Sequence, residues 1–253
     1  MNFWGSAESR SLPIVYHRKG KSHMLKDGRM ETIYGMVRKG VTVCDVGTDH
    51  AIIPIELVKT GVCRSAIATD ISAPSLEKGA QNIKKAGCAG KIKTYCTNGT
   101  LMVPFDKNMD FIIAGMGGEL IVKILSQDER LKDPNFRFIL QPMSRAEELR
   151  VFLAENGFKM LSECKTEGDG RIYSVINAEY NGEKYALSKM EMVFGVTPDR
   201  ENHLERIYAE KEEKRLVAKL SGLENSDSEE SIAEKQRTLD LLAEIRNYIE
   251  NLK

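Results

Sequence analysis

Residues 43–50 read Val-Cys-Asp-Val-Gly-Thr-Asp-His, where an apolar, β-branched run meets a glycine and then a helical pattern. Gly47 lets the backbone bend tightly and lets a ligand approach the main chain. The start of the following helix leaves backbone N–H groups without partners inside the helix, and such groups bind ligands. The sequence therefore predicts a site for a nucleotide-like ligand at the carboxyl end of the first strand.

Strand-like and helical segments alternate around this stretch. Strands are predicted over residues 41–46, 66–69, 91–96, 109–114 and 136–140, and helices over residues 52–59, 75–86, 118–125 and 146–156. This alternation is typical of a parallel sheet that is covered by helices on both faces. Residues 158–165 and 171–180, joined by a Glu-Gly-Asp-Gly turn, are expected to add an antiparallel hairpin at the edge of this α/β fold.

The two ends of the chain differ from this central region. Residues 1–23 show no strand or helical period, and we interpret them as an added leader or a wrongly assigned start. A short basic helix is expected from Leu25 onward, and the ligand-binding domain is expected to span residues 24–182. Residues 183–253 are predicted to form an α-helical hairpin of coiled-coil type, because their apolar positions follow two helical stripes. Such a hairpin serves either oligomerisation and stability or substrate binding.

The composition is that of a globular protein, with 42% hydrophobic and 29% charged residues. No apolar run approaches the roughly 20 residues of a membrane helix, so we expect a cytoplasmic protein with no membrane segment. The five cysteines include no CxxC pair, which indicates neither a disulfide framework nor a metal site. The 37 basic and 37 acidic residues cancel, so any nucleic acid would be held by local patches.

Acidic residues after the first two strands narrow the choice of ligand. The turn at Gly47 lacks the further glycines of a dinucleotide fingerprint, and Asp45 and Asp49 would repel a pyrophosphate. A cationic ligand without phosphate, such as S-adenosylmethionine, fits better, although both residues would also suit a role as helix caps. Asp70, at the end of the second strand, is placed to accept hydrogen bonds from a ribose, as in nicotinamide sites.

Three later strand ends carry further candidates. Asn98-Gly99 would place an amide near an adenine edge, and residues 115–118, Gly-Met-Gly-Gly, would leave open space where a donor and an acceptor meet. Gln141 would either read a base edge or form part of a plain surface turn. His50 is the only histidine near these residues, and no nucleophilic or metal-binding constellation is apparent.

Taken together, these motifs resemble one family. The residues that carry the resemblance are DVGTDHA at 45–51, Asp70, NG at 98–99, IAGMGG at 113–118, LQP at 140–142 and the C-terminal helical hairpin. They are similar to the bacterial tRNA (adenine(22)-N1)-methyltransferases, known as TrmK. The resemblance implies a Rossmann-like class I methyltransferase sheet, S-adenosylmethionine as methyl donor, and N1 of an adenine in the D-arm region of tRNA as acceptor.

The resemblance also implies roles for individual residues. The donor would be surrounded by Asp45, Gly47, Thr48, Asp49, His50, Asp70, Ile71, Asn98, Gly99, Gly115 and Met116. Gly117 would border the methyl-transfer space. Beyond the resemblance, the chemistry of a cationic product suggests Asp49 as the catalytic residue that stabilises it. We also expect the tRNA to contact Gly118, Gln141, Pro142, Arg145, Arg29 and Arg38, with Lys39 and Arg150 as further phosphate contacts.

Two other classes of function stay open at this point. One is a nicotinamide-dependent oxidoreductase, which Asp70 would also suit. The other is a non-catalytic module that binds S-adenosylmethionine or RNA without turnover. Methylation of a small molecule or a protein would differ only in the acceptor, because the fold alone does not define the substrate. The sequence also leaves the oligomeric state undefined.

Overall fold

A computed structural model of the protein describes residue 25, residues 27–223 and residues 228–252. The predicted leader lies outside these residues. The described chain folds around a seven-stranded sheet of order β3-β2-β1-β4-β5-β7-β6. The strands are β1 Thr42–Val46, β2 Ser65–Asp70, β3 Ile92–Cys96, β4 Met109–Gly117, β5 Arg137–Ser144, β6 Phe158–Gly168 and β7 Arg171–Tyr180. The first five strands are parallel and β7 runs antiparallel to both neighbours, so the predicted α/β sheet with an antiparallel edge is confirmed.

Helices cover both faces of the sheet. The helices are α1 Gly28–Met36, α2 Ile52–Lys59, α3 Ala73–Lys85, α4 Gly118–Ser126, α5 Ala146–Glu155, α6 Lys189–Phe194, α7 His203–Gly222 and α8 Glu229–Glu250. On one face, α1, α2 and α3 bury Ile33, Ile55 and Ile83. On the other face, α4 and α5 bury Ile121 and Leu149. This covering explains why β1 is buried along its whole length.

Several elements begin or end away from their predicted positions. Helix α1 starts at Gly28 and not at Leu25, because the Asp27 side chain caps it by accepting the Met30 N–H at 3.1 Å. Strands β4 and β5 run past their predicted ends, because their ladder continues through two register shifts. The short helix α6 was not predicted, and it starts with a capping box between Ser188 and Glu191.

Two long helices form where the helical hairpin was predicted. Helices α7 and α8 pack together through an apolar cluster that includes Leu216, Leu242 and Ile245. The coiled-coil character of this pair and the domain boundary at residue 182 remain predictions. None of the helices in the described ranges is both long enough and apolar enough to cross a membrane.

A cluster of buried charges joins this helical region to the sheet. Arg150 donates to both carboxylate oxygens of Glu163, at 2.9 and 2.6 Å, and Lys165 donates to the same carboxylate at 2.7 Å. The two cations also donate to the main-chain oxygens of Met192 and Phe194, at 2.6 and 3.2 Å. Burial alone would raise the pKa of Glu163, but the charges of Arg150 and Lys165 outweigh it and lower the pKa to about 2. The cluster is therefore ionised and satisfied at neutral pH.

The prediction that Arg150 contacts phosphate is wrong. Its side chain is fully buried, and Glu163, Met192 and Ser174 accept hydrogen bonds from its guanidinium. Arg150 therefore attaches α6 to the sheet instead of reaching a ligand.

We expect Arg150→Ala to lower the free energy of unfolding by about 3–5 kcal/mol, because Glu163 would stay buried without its guanidinium partner. Urea unfolding followed by circular dichroism measures this loss. Arg237→Ala is the control, since that guanidinium is 57% exposed and pairs with Glu234 at the surface. We expect a loss below about 1 kcal/mol for the control. Equally small losses in both variants would contradict a structural role for the buried cluster.

Candidate active site

The strand order reverses between β1 and β4, and this reversal defines where a ligand can enter. Chain connections leave β1 and β4 toward opposite sides of the sheet, so a crevice opens beyond their carboxyl ends. The described residues with positive φ, glycine apart, are His50, Ala51, Arg145 and Asp169, and all four lie in turns at this edge. Strained backbone of this kind collects at functional sites.

A buried carboxylate stands at the end of β1. Asp45 is only 7% exposed and accepts a hydrogen bond from the Thr48 hydroxyl at 2.6 Å. Burial raises the pKa of the Asp45 carboxyl to about 6; the hydrogen bond from Thr48 opposes this rise and the charge of Asp70 adds to it. Two carboxylates on neighbouring strands therefore face one crevice, which favours a cationic ligand over a phosphate.

The helix-cap interpretation of Asp45 and Asp49 does not hold. Helix α2 begins after Ala51, which has a left-handed conformation, and no side chain caps it. Asp49 is instead 86% exposed, and its carboxylate lies 3.2 Å from Nε2 of His50.

Two main-chain N–H groups in the turn before α2 are already paired. The amides of Gly47 and Thr48 both donate to the Thr69 carbonyl at 2.8 Å, because main-chain bonding to β2 continues into the turn. A ligand at the turn would therefore contact side chains and the exposed loop at Asp49 and His50.

Gly47 is required at the turn by its backbone conformation. Its φ of +73° is a conformation that other residues rarely adopt. The Met116 side chain lies over this glycine, with its terminal methyl where a Cβ would be. Met116 thus reaches the residue directly after β1, as expected for two residues of one site.

The ends of β2 and β3 form the next part of the crevice. Asp70 accepts the Ser72 N–H at 2.7 Å, and the neighbouring Ile71 side chain is 74% exposed. The Gly99 carbonyl accepts a hydrogen bond from Thr69 at 3.1 Å, which draws the exposed Asn98 toward β2. An apolar surface beside a carboxylate and an amide is suited to a nucleoside.

Sequence reasoning missed Gln127 beside this loop. Its amide Nε2 donates to the Asn98 carbonyl at 3.4 Å and lies 2.6 Å from where a Gly99 Cβ would be. Nothing in the local sequence marks Gln127, because its position depends on how α4 ends against the loop.

Strands β4 and β5 end in a pair of compensating bulges. Their last paired residues are Ala114 with Gln141, Met116 with Pro142, and Gly117 with Ser144. Gly115 on β4 and Met143 on β5 are therefore the extra residues, and Gly115 has a φ of +74°. Bulges bend a strand and re-aim its side chains, and they are common beside active sites.

Gln141 does not face a ligand, so it is not placed to read a base edge. The side chain is 2% exposed. Its Oε1 accepts the Gly115 N–H at 3.0 Å, and its Nε2 donates to the Pro142 carbonyl at 3.1 Å. Gln141 is thus a positioning residue that holds the bulges together.

Gly117 and Gly118 bring the start of α4 against the turn between β5 and α5. A Cβ at Gly117 would lie 3.3 Å from the Ser144 hydroxyl, and one at Gly118 would lie 3.1 Å from the Ser144 carbonyl and collide with the Arg145 carbonyl. The two glycines therefore permit a close approach that closes one side of the crevice.

The basic candidates are divided between the two edges of the sheet. Arg145 lies at the crevice edge, is 53% exposed, and pairs with Glu148 at 2.6 Å and with Glu119 at 3.2 Å. Arg29 lies at the same edge, where Asp27 and Asp169 accept from it at 2.6 and 3.1 Å.

Arg38 and Lys39 lie at the opposite edge, which corrects the expectation that they contact the acceptor. The Arg38 guanidinium donates to Asp110 at 2.7 Å and to the Met109 carbonyl at 2.9 Å, where β4 begins. Lys39 follows it in the chain, before the start of β1. Helix α1 ends at this edge, so the crevice lies a full strand length away.

Comparison with known proteins agrees with this architecture. A family profile described as "Methyltransferase domain" matches residues 26–176, which is more than half of the chain. The chain therefore belongs to the methyltransferase domain family.

Within that family, several relatives are described as tRNA methyltransferases, and one is a ribosomal protein L11 methyltransferase of Desulforamulus reducens. The tRNA (adenine(22)-N(1))-methyltransferase of Bacillus subtilis (strain 168) is 27% identical over 168 residues, covering 66% of this chain and 71% of that protein. Sp1610 of Streptococcus pneumoniae, provisionally described as a tRNA (m1A22) methyltransferase, is 30% identical with a TM-score of 0.75, covering 87% of this chain and 98% of that one. The same protein in complex with S-adenosyl-L-methionine gives a TM-score of 0.72 over the same 87% and 98%. The resemblance to the TrmK family is confirmed.

We expect Asp45→Asn to be more stable than the wild type at pH 7 and to lose this advantage toward pH 4. The folded-state pKa of about 6 lies above the ordinary value of 3.8, so the neutral carboxyl is favoured in the folded protein. Wild-type stability is fully present below pH 4 and falls as the pH rises through 6, by about 3 kcal/mol in total. Urea unfolding at pH 4, 5.5 and 7 measures this.

The control for this experiment is Asp49→Asn, in the same loop but largely exposed. Because surface substitutions rarely change stability by more than about 0.5 kcal/mol, this variant should stay close to the wild type at all three pH values. If the Asp45→Asn and Asp49→Asn profiles run in parallel, burial of Asp45 does not govern the pH dependence.

Proposed function

We propose that the protein transfers a methyl group from S-adenosylmethionine to N1 of an adenine in the D-arm region of tRNA. The observation that carries this proposal is the carboxylate-lined crevice at the switch point, formed by Asp45 and Asp70. It occurs in a chain whose relatives include tRNA methyltransferases, one of them with a known S-adenosylmethionine complex. As a tRNA-modifying enzyme, the protein is assigned to the cytoplasm.

The donor fits the residues at this crevice. Asp45, Gly47, Thr48, Asp49 and His50 would hold the methionine part, whose ammonium and sulfonium groups suit two carboxylates. The nucleoside part would lie against Asp70, Ile71, Asn98 and Gly99, with Gly115 and Met116 closing the site from β4. When bound, S-adenosylmethionine supplies an electrophilic methyl group.

The chain itself needs to do little acid–base chemistry. N1 of a neutral adenine has a lone pair, so no general base is needed to create the nucleophile. Holding the acceptor in line at contact distance supplies much of the rate enhancement. The product ring is cationic, and the exposed Asp49 carboxylate would stabilise that charge as it develops.

The acceptor would enter between the ends of β4 and β5. Gly117 and Gly118 leave room for a base, and Pro142 borders the same space. N1 is normally paired or stacked in a folded tRNA, so the base must turn outward. Arg29 and Arg145 are the basic residues at this edge that remain as candidates for phosphate contacts. In this proposal, residues 24–182 form the catalytic domain and residues 183–253 form a helical domain beside it.

A nicotinamide-dependent oxidoreductase is less well supported. A pyrophosphate would face Asp45, and the Gly47 and Thr48 amides donate to the Thr69 carbonyl and not to a ligand. A non-catalytic binding module differs from the proposal only in turnover, so it is an outcome of the test below.

Incubation with labelled S-adenosylmethionine and unmodified bacterial tRNA transcripts, followed by digestion and mass spectrometry, tests the function. We expect 1-methyladenosine, and its loss when the D-arm adenine is replaced. Donor binding without label in any nucleoside would favour a binding module or another acceptor.

Asp45→Ala should abolish donor binding, because it removes the buried carboxylate that faces the cationic part of the donor. Isothermal titration calorimetry with S-adenosylmethionine measures the affinity. An unchanged affinity would show that the donor does not bind at the end of β1.

Asp49→Asn should lower kcat more than it weakens donor binding, because the positive charge it would stabilise develops on the acceptor ring. Steady-state kinetics with the tRNA transcript and calorimetry with the donor separate the two effects. Parallel losses in kcat and donor affinity would instead assign Asp49 to donor binding alone.

A further inference from the structure

Met143 is the residue of the β5 bulge that has no pairing partner on β4. It is the extra residue between Pro142 and Ser144, opposite the single step from Met116 to Gly117. Its side chain is 37% exposed, although the five preceding residues of β5 are buried. The bulge therefore directs an apolar side chain outward at the edge where the acceptor would bind.

Two donors hold the Met143 sulfur in place. Nη1 of Arg29 lies 3.3 Å from Sδ, and Nε2 of Gln141 lies 3.5 Å from it. Arg29 is itself fixed by Asp27 at 2.6 Å and by the ring of Tyr173, 5.1 Å from the guanidinium carbon. A methionine normally adapts to its surroundings, whereas this one has a single anchored orientation.

The surroundings of Met143 connect the crevice with a second cavity. Met143, Pro142 and Arg145 line a cleft of about 300 Å³ between the β5–α5 turn, the start of β7 and helix α7. Next to Met143, Ser144 also contacts Gly117, which borders the proposed methyl-transfer space. Met143 thus lies between the space for the methyl group and a cleft wide enough for part of a nucleotide.

We propose that Met143 is the apolar platform against which the acceptor adenine packs, and that Arg29 and Gln141 are positioning residues that act through its sulfur. This inference rests on the function proposed above. A base turned out of its stack needs a new surface for its ring face, and a thioether packs well on aromatic rings. Arg29 and Gln141, which looked like RNA contacts in the sequence, both direct donors to this one side chain.

Steady-state kinetics with the full chain, saturating S-adenosylmethionine and the tRNA transcript test the proposal. Met143→Ala should raise KM for tRNA about tenfold, the size expected for loss of a base-packing surface. The dissociation constant for S-adenosylmethionine, measured by calorimetry, should not change. Met143→Leu keeps the apolar volume and should recover most of the loss.

Met102→Ala is the matched control. This methionine is 69% exposed in the turn after β3, away from β5. Its truncation should leave KM for tRNA within about twofold of the wild type, since it removes the same type of side chain from a different part of the surface.

A double-mutant cycle separates positioning by Arg29 from direct phosphate contact. If Arg29 acts through Met143, Arg29→Ala should raise KM alone but add nothing in the Met143→Ala background. Additive effects of the two substitutions would overturn the positioning role.

Two other results would overturn the platform itself. They are unchanged KM and kcat in Met143→Ala, or a loss of donor affinity as large as the loss for tRNA. A wild-type protein that forms no 1-methyladenosine would remove the proposed function and this inference together, whereas an active wild type with an unaffected Met143→Ala variant removes only the inference.

Discussion

Burial of β1 between β2 and β4 is the constraint on which the rest of the structure depends. Every residue of this strand is buried, yet it ends in the carboxylate of Asp45. The folded protein bears a desolvation penalty there, which is visible in a pKa raised to about 6. Carboxylates with a raised pKa in a crevice are typical of functional sites, which supports the donor site proposed at Asp45.

Three glycines, which have no side chain, allow the close contacts that shape the crevice. Gly47 leaves room for the Met116 methyl, Gly117 approaches the Ser144 hydroxyl, and Gly118 approaches the Arg145 carbonyl. The Gln141 amide joins the two bulges at the ends of β4 and β5. Close backbone contacts and one buried amide thus make a rigid edge, as methyl transfer by positioning requires.

The helical region is attached to this scaffold by charges as well as by apolar packing. Arg150 and Lys165 bond to the Glu163 carboxylate and to main-chain oxygens of the chain around α6. Lys165 also lies 4.0 Å from Glu205 and 4.7 Å from the ring centre of Tyr208, both on α7, which lines the cleft beside Met143. The predicted domain boundary at residue 182 therefore separates two segments that are joined by buried hydrogen bonds.

The sequence by itself determined the α/β class of the sheet, its antiparallel edge, the turn at Gly47 after β1 and the end of β2 at Asp70. These depend on local requirements: apolar periodicity, a positive φ, and an acidic residue directly after a buried strand. Only the tertiary structure determined which partners the long polar side chains bind. Arg38 bonds to Asp110, 72 residues away, and the Gln141 amide bonds to Gly115, 26 residues away. Such partners meet only after the strands have paired, so no local pattern records whether an arginine faces a ligand or a buried carboxylate.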